Sequence, residues 1–318
     1  MPDERQHVTV GRFTNLDGTT PDKNGWAVAR WLVRHRLPDE LRQGSAIFLD
    51  LFRREKTPMQ TDETAALDLG QSHLTWIGHS TFLLRLGGQW VLTDPVFGKP
   101  AWTLWRHVPP GLASNHLPAI DVVTVSHDHY DHLDLPSLAA LKGNPEIIAP
   151  SQMGRHLPHP PIELQWWQTV ERPGLRITLV PAHHWSMRSP SNRNRTLWGG
   201  FIYESDGFTV YFAGDTGFQP AIFQSIRERF PRIDIAILPI GAYAPRWFMQ
   251  AQHMDPDEAV TAYELLGAKY FVAMHWGTFH LSSEPVGEPP EKLRFYWKKR
   301  GLPEDRLWIM AIGETRRL

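Results

Sequence analysis

From residue 73 onward the chain is built of short apolar runs bounded by Gly, Pro and Asp: LTWI, TFLLRL, WVLTD, VVTVS, ITLV, FTVYFAG, IAILPI and YFVAMH. Runs of this length, rich in β-branched and aromatic residues and closed by turn formers, predict strands. Between them, residues 135–142, 218–229 and 256–266 carry helical periodicity. The last of these is punctuated at both ends, with Asp255 as N-cap, Pro256 at the first position, Glu258 at the third and Gly267 beyond the final turn. Strands alternating with helices predict an α/β protein with sheets and helices in layers.

The first 70 residues read differently. Residues 25–54 predict one or two helices, with Ile47, Phe48, Leu51 and Phe52 at helical spacing, before a polar stretch over 55–68. No repeat, low-complexity tract or long Gly/Ser linker divides the chain. The simplest organisation is an N-terminal helical arm over 1–70 and one domain over 71–318.

Charge narrows the partners. Lys and Arg total 33 against 34 for Asp and Glu, so no global field draws in nucleic acid or an anionic membrane, and only a local patch could meet one. Without cysteine, every metal ligand must be imidazole or carboxylate. The start, MPDERQHVTVGRF, is charged, and no apolar stretch is long enough to span a bilayer, so the expected location is cytoplasmic with peripheral membrane contact left open. Of the 14 Trp, Trp185, Trp247 and Trp276 lie in loops, where they either line a pocket or pack in the core.

The strand VVTVS runs straight into His127-Asp128-His129-Tyr130-Asp131-His132. In a tight loop, alternate residues 127 and 129 can converge on one cation while Asp131 and His132 turn towards a second. Further candidates end other apolar strands: Asp94 in TDP, His183 and His184 in PAHHW, Asp215 in AGDTG and His275 in AMHWG. A lone Asp or His at a strand end is more often a turn or structural residue. Together they supply what a two-metal site needs, including a carboxylate able to bridge. Gln252 and His253 precede the capped helix, whose N-terminus could face an anion. Arg188 could take a phosphate oxygen bidentately or be a surface charge. In YAPRWFM, apolar groups around Tyr243 and Arg246 either border a groove or pack in the core.

HxHxDH followed by His, Asp and His at strand ends resembles the metallo-β-lactamase superfamily. More narrowly, WIGHSTFLL, LTDPVF, SHDHYDHLD, LWGG, FAGDTGF, IGAYAPRWFM, QHMDPDEAV and HWGTF resemble the N-acyl-phosphatidylethanolamine-hydrolysing phospholipase D family over roughly residues 73–285. The resemblance implies an αββα sandwich, two central mixed sheets flanked by helices, with 71–318 as the catalytic domain. It further implies two zinc ions, one on His127, His129 and His184 and the other on Asp131, His132 and His275, with Asp215 bridging. It selects His184 over His183 through the Trp185 that follows. Asp94 is then expected to orient a ligand imidazole, His253 to lie near the metals, and Gln252, Arg188, Tyr243 and Arg246 to border the substrate. Imidazole and carboxylate ligands suit Mn or Fe as well as Zn.

The implied reaction releases N-acylethanolamine and phosphatidic acid. Two ions about 3.5–4 Å apart would lower the pKa of a shared water to give a hydroxide nucleophile, with Asp131 accepting its hydrogen bond. One alternative is a metallohydrolase of a soluble phosphodiester or lactone; another is a non-catalytic metal-binding protein. Nuclease activity is disfavoured: 31 positions separate His184 from Asp215 and 60 separate Asp215 from His275, too few for an inserted nucleic-acid domain, and the chain is not basic. The expected partner is thus a phospholipid or small phosphodiester, with a homodimer left open.

Overall fold

Alternate residues of a strand face opposite ways, so a strand apolar at odd and even positions alike must be covered on both sides. In TFLLRL, Phe82, Leu84 and Leu86 enter one buried cluster and Leu83 another; Val91 and Leu92, then Val122 and Val123, divide the same way. The sheet they form is an inner layer.

The computed structural model describes residues 8–9, 11–21, 26, 30, 57–60, 71–101, 104 and 106–318. Two short strands, β1 (Val8–Thr9) and β2 (Arg12–Phe13), pair antiparallel. One sheet then takes β3 (His73–Gly78), β4 (Thr81–Leu86), β5 (Gln89–Thr93), β6 (Val122–Thr124), β7 (Glu146–Pro150) and β8 (Ile162–Leu164), with helix α1 (Leu135–Ala139) between β6 and β7. The second takes β9 (Thr169–Arg172), β10 (Leu175–Val180), β11 (Gly200–Ser205), β12 (Phe208–Phe212), β13 (Ile235–Pro239), β14 (Tyr270–Met274) and β15 (Leu307–Trp308). Both sheets begin antiparallel and become parallel, at β5–β6 and at β12–β13. Parallel neighbours need crossovers. In the second sheet these are α2 (Pro220–Arg229), then α3 (Arg246–Met249) with α4 (Pro256–Leu266), then α5 (Glu288–Lys299). The last strand, β16 (Thr315–Arg317), returns to pair antiparallel with β3. One buried cluster joins Leu74, Trp76 and Phe82 of the first sheet to Ile177, Phe201 and Phe212 of the second. Two mixed sheets flanked by helices is the architecture expected.

The helix at 256–266 has the predicted punctuation: the Asp255 carboxylate accepts from the N–H groups of Asp257 and Glu258, the Glu258 side chain returns to the Asp255 N–H, and Gly267 sits at φ 60°. Helix α5 escapes the sequence pattern because Pro289 and Pro290 open it, although its first turn needs no N–H and its face buries Leu293 and Trp297. Strands β8 and β9 also escape it, since IEL and TVER are largely polar. Most of the helices predicted over 25–54 lie outside the described residues; Trp26 and Arg30 are helical, while residues 11–21 form a strand and turns. Among the described residues, no helix is long and apolar enough to cross a membrane.

Replacing Asp255 with Ala removes an acceptor shared by two helix N–H groups. Thermal denaturation should show a loss of about 1 kcal/mol, about 2 °C in Tm. An unchanged Tm would mean that this cap adds nothing to the fold.

Candidate metal centre

The parallel strands all deliver their carboxyl ends to one edge of the molecule, where loops of an α/β protein meet ligands. Residues 127–132 follow β6, Asp94 follows β5, His184 follows β10, Asp215 follows β12 and His275 follows β14. Two glycines let these loops close on one another. A Cβ on Gly214, at φ 60°, would stand 2.8 Å from the Ser126 Cβ, and one on Gly241 would stand 2.1 Å from the His275 carbonyl oxygen. Asp94 (φ 35°), His79 (φ 54°) and His275 (φ 62°) also occupy left-handed backbone, which costs roughly 1–3 kcal/mol each unless neighbours over-determine it. Neighbours do: the His79 carbonyl accepts from the His275 N–H at 3.1 Å, and the His79 N–H donates to Thr278 Oγ1 at 2.7 Å.

The convergent atoms form overlapping groups, each with ligand atoms within 4.8 Å of one another: His127, His129 and His184; His79, Asp131, His132 and His275; His127, His132 and Asp215; and His184, Asp215 and His253. Asp215 joins the groups. Its Oδ2 lies 3.9 Å from His127, 3.3 Å from His132 and 3.8 Å from His184, while Oδ1 lies 3.1 Å from His275 Nε2. Asp131 Oδ2 stands 3.2 Å from His79, 3.7 Å from His132 and 3.9 Å from His275.

Hydrogen bonds behind the rings decide where their lone pairs point. His184 Nδ1 donates to the Gln252 carbonyl at 3.0 Å, and His132 Nδ1 donates to Asp94 Oδ2 at 2.7 Å. Ser126 gives its hydroxyl proton to Asp94 at 2.6 Å and accepts from His127 Nδ1 at 2.9 Å. Each Nε2 therefore faces the cluster, with its lone pair free on the neutral rings of His127 and His184. Two of these, on His127 and His184, face the same His129 Nδ1 at 2.9 and 3.3 Å, more acceptors than one N–H can satisfy well. Among the described residues, His129 Nε2, His132 Nε2, His275 Nε2, Asp215 Oδ1 and His253 Nδ1 are buried without a hydrogen-bond partner. A cation resolves such a set, so the donor chemistry fits a metal.

Electrostatics treats the rings differently: burial opposes a charge on His132, but Asp215 and Asp131 hold it well above its ordinary range, so an ion at its Nε2 would displace a proton. Burial, with neighbouring imidazoles adding to it, pushes His127 and His184 well below their ordinary range, leaving neutral ligands. Burial raises Asp215, yet His132 and His275 outweigh it and hold the carboxyl well below its usual range. Burial likewise opposes and His132 with His79 favour an ionised Asp131.

The expected residues divide into two sets. His127, His129, Asp131, His132, His184, Asp215 and His275 come together, Asp94 backs His132, and His253 Nδ1 reaches within 3.8 Å of Asp215. His183 turns away, with Nδ1 on the Ala251 carbonyl at 2.8 Å and Nε2 near Asp17 at 3.4 Å. The residues expected to border the substrate have structural partners of their own. Arg188 Nη1 donates to the carbonyls of Asp128 and Leu133, both at 2.8 Å, and so braces the ligand loop. Arg246 gives Nη2 to both Glu258 oxygens at 2.7 Å and Nη1 to the His253 carbonyl at 2.9 Å. The Tyr243 hydroxyl donates to Glu288. Gln252 acts through its carbonyl on His184, its side-chain amide lying against Met249. The helix N-terminus beyond it is capped by Asp255, which takes two N–H groups that a phosphate would use. His79 was missed. It is a lone histidine directly after a strand in WIGHS, with no second candidate ligand at a neighbouring position to mark it.

A profile of the Beta-lactamase superfamily domain matches residues 89–276. An N-acyl-phosphatidylethanolamine-hydrolyzing phospholipase D of Caenorhabditis elegans is 37% identical over 242 residues, 69% of this chain and 68% of that protein. A UPF0173 metal-dependent hydrolase of Nitratidesulfovibrio vulgaris is 33% identical over 258 residues, covering 77% and 95%. Among solved structures, a metallo hydrolase of the archaeon Ignicoccus hospitalis superposes with a TM-score of 0.59 at 24% identity, over 78% of this chain and 98% of that one, a likeness of fold alone. The chain belongs to the metallo-β-lactamase superfamily and, within it, to the family of the N-acyl-phosphatidylethanolamine-hydrolysing phospholipases D. It is a metal-dependent hydrolase.

Elemental analysis of protein prepared without chelator should find two metals per chain, and Asp215→Ala should lower both. Asp94→Asn, which weakens the acceptor behind His132, should cost roughly 10–100-fold in affinity at one position. A stoichiometry that stays at one after metal is added back would contradict the paired arrangement.

Proposed function

We propose that the chain is a binuclear zinc phosphodiesterase of the phospholipase D type, acting on an N-acyl-phosphatidylethanolamine. The observation that carries the reading is Asp215, whose two oxygens face imidazoles from both ligand groups. His127, His129 and His184 would hold one ion, Asp131, His132 and His275 the other, with Asp215 between them. Bound metals would supply an activated water at neutral pH and charge neutralisation for the phosphoryl oxygens. Asp131, held by His79, is placed to accept a hydrogen bond from that water. His253, which burial lowers to about 3, stays neutral at the edge of the cluster and can meet a phosphate oxygen by hydrogen bonding without adding a charge.

Water oxygen bonds to phosphorus, the bond from phosphorus to the N-acylethanolamine oxygen breaks, and the departing oxygen takes a proton. Phosphatidic acid remains. The exposed pair Trp26 and Trp247, with the Arg30 guanidinium 5.5 and 4.8 Å over the two rings, brings part of the arm beside the YAPRWFM segment and supports an amphiphilic substrate. Beside His275 lies a small recess of mixed walls, where Trp276, Phe279 and Leu281 meet His280, Ser282 and Glu284. The small size and part-polar lining of that recess favour a soluble diester or lactone as the second reading.

Hydrolysis of N-acyl-phosphatidylethanolamine in oxygen-18 water distinguishes them by mass spectrometry. Label is expected in phosphatidic acid and absent from the ethanolamide and from free fatty acid. Label in fatty acid would mean ester cleavage, and turnover of soluble diesters or lactones with none of the lipid would transfer the assignment to the second reading.

A further inference from the structure

The segment before the main domain reaches the metal centre from behind. Asn15 is fully buried, and its Oδ1 accepts from the His184 N–H at 3.0 Å and from the Trp198 indole at 3.1 Å. Two donors on one atom fix which end of the amide faces them. The Asn15 Nδ2 is buried with no partner among the described residues, so the oxygen is the working end of this side chain. Its position is set by a turn of its own: the Asn15 N–H donates to the Thr19 carbonyl at 2.9 Å and the Gly18 N–H to the Asn15 carbonyl at 2.8 Å. That turn is tied down on both flanks. The Phe13 N–H donates to the Asn194 carbonyl at 2.8 Å, Phe13 enters the main core, and Arg193 donates to the Pro21 carbonyl at 3.0 Å. Beside it, Asp17 and Thr19 take up His183 at 3.4 and 3.3 Å, on the face of the PAHHW loop opposite the ligand cluster.

His184 is thereby held at two points 169 and 68 positions away in sequence, its backbone N–H by Asn15 and its ring by the Gln252 carbonyl. We propose that Asn15 is a positioning residue of the metal centre, supplying from outside the recognised domain the acceptor that sets His184 on its metal. This rests on the reading of His184 as a ligand. It gives the N-terminal segment a specific duty, because among the described residues the acceptor of the His184 N–H is Asn15, outside the matched stretch 89–276. An imidazole ligand displaced by a fraction of an ångström binds its ion more weakly, and partners one bond removed from a ligand act at this scale.

The test is Zn²⁺ titration of the full-length apoprotein against a chromogenic chelator, with folding followed by circular dichroism. Asn15→Leu, matched in size but without an acceptor, should weaken one of the two zinc sites by roughly 10–100-fold. The other site should move less. Asn15→Asp retains an acceptor oxygen and should stay much closer to wild type than Asn15→Leu. If Asn15→Leu does not fold, Asn15→Ser, too short to reach the His184 N–H, carries the same expectation. A purely architectural residue would lower apoprotein stability in each variant while leaving both zinc affinities at wild-type values, and that result would overturn the proposal. Equal weakening by Asn15→Asp and Asn15→Leu would overturn it as well. Wild-type protein that binds no zinc would overturn the metal-centre reading itself, an outcome distinct from wild type binding two ions and Asn15→Leu binding them equally well.

Discussion

A carboxylate buried with imidazoles at both its oxygens is the constraint from which the rest of the centre follows. Asp215 is nearly inaccessible, and an isolated anion in such a place would be costly by several kcal/mol. It is tolerated because β12 ends where β6, β10 and β14 also end, so that His132, His184 and His275 surround it. The same crowding makes the imidazoles unsatisfied acceptors. Carboxylate and rings share one remedy, a cation, and the loops of two sheets are arranged so that neither is complete without the other.

Around that cluster, charged and polar groups serve geometry. Asp94 collects the Ser126 N–H, the Ser126 hydroxyl and the His132 ring, turning one buried anion into an anchor for two ligands. Arg188 pins the loop of residues 128–133 by its carbonyls, and Arg246 joins the His253 carbonyl to the Glu258 of the capping box. Guanidinium groups suit this work, since one planar fork satisfies several buried acceptors at fixed angles. Outer groups of this kind keep lone pairs aimed while His275, with His79 and Asp94 beside the ligands, sits at positive φ.

What could be read from sequence followed from proximity. His127, His129, Asp131 and His132 fall within six residues, so their convergence is a local matter, and the strand ends at Asp215 and His275 were marked by apolar runs. The capping box was legible for the same reason. His79 was not, because its partner Asp131 is 52 positions away and a lone histidine after a strand has no distinguishing pattern. The structural partners of Arg188 and Arg246 were not legible for a related cause: the carbonyls and the carboxylate that they hold come from distant loops and are visible only once those loops are placed. Helix α5 was hidden by prolines whose tolerance depends on lying in a first turn.

The central claim is a pair of cations sharing Asp215, and anomalous diffraction from crystals of the zinc-loaded protein tests it most directly. Two peaks about 3.5–4 Å apart are expected, one beside His127, His129 and His184 and one beside Asp131, His132 and His275, with the Asp215 carboxylate reaching both. A single peak at full occupancy, or two peaks of which only one is touched by Asp215, would contradict the account.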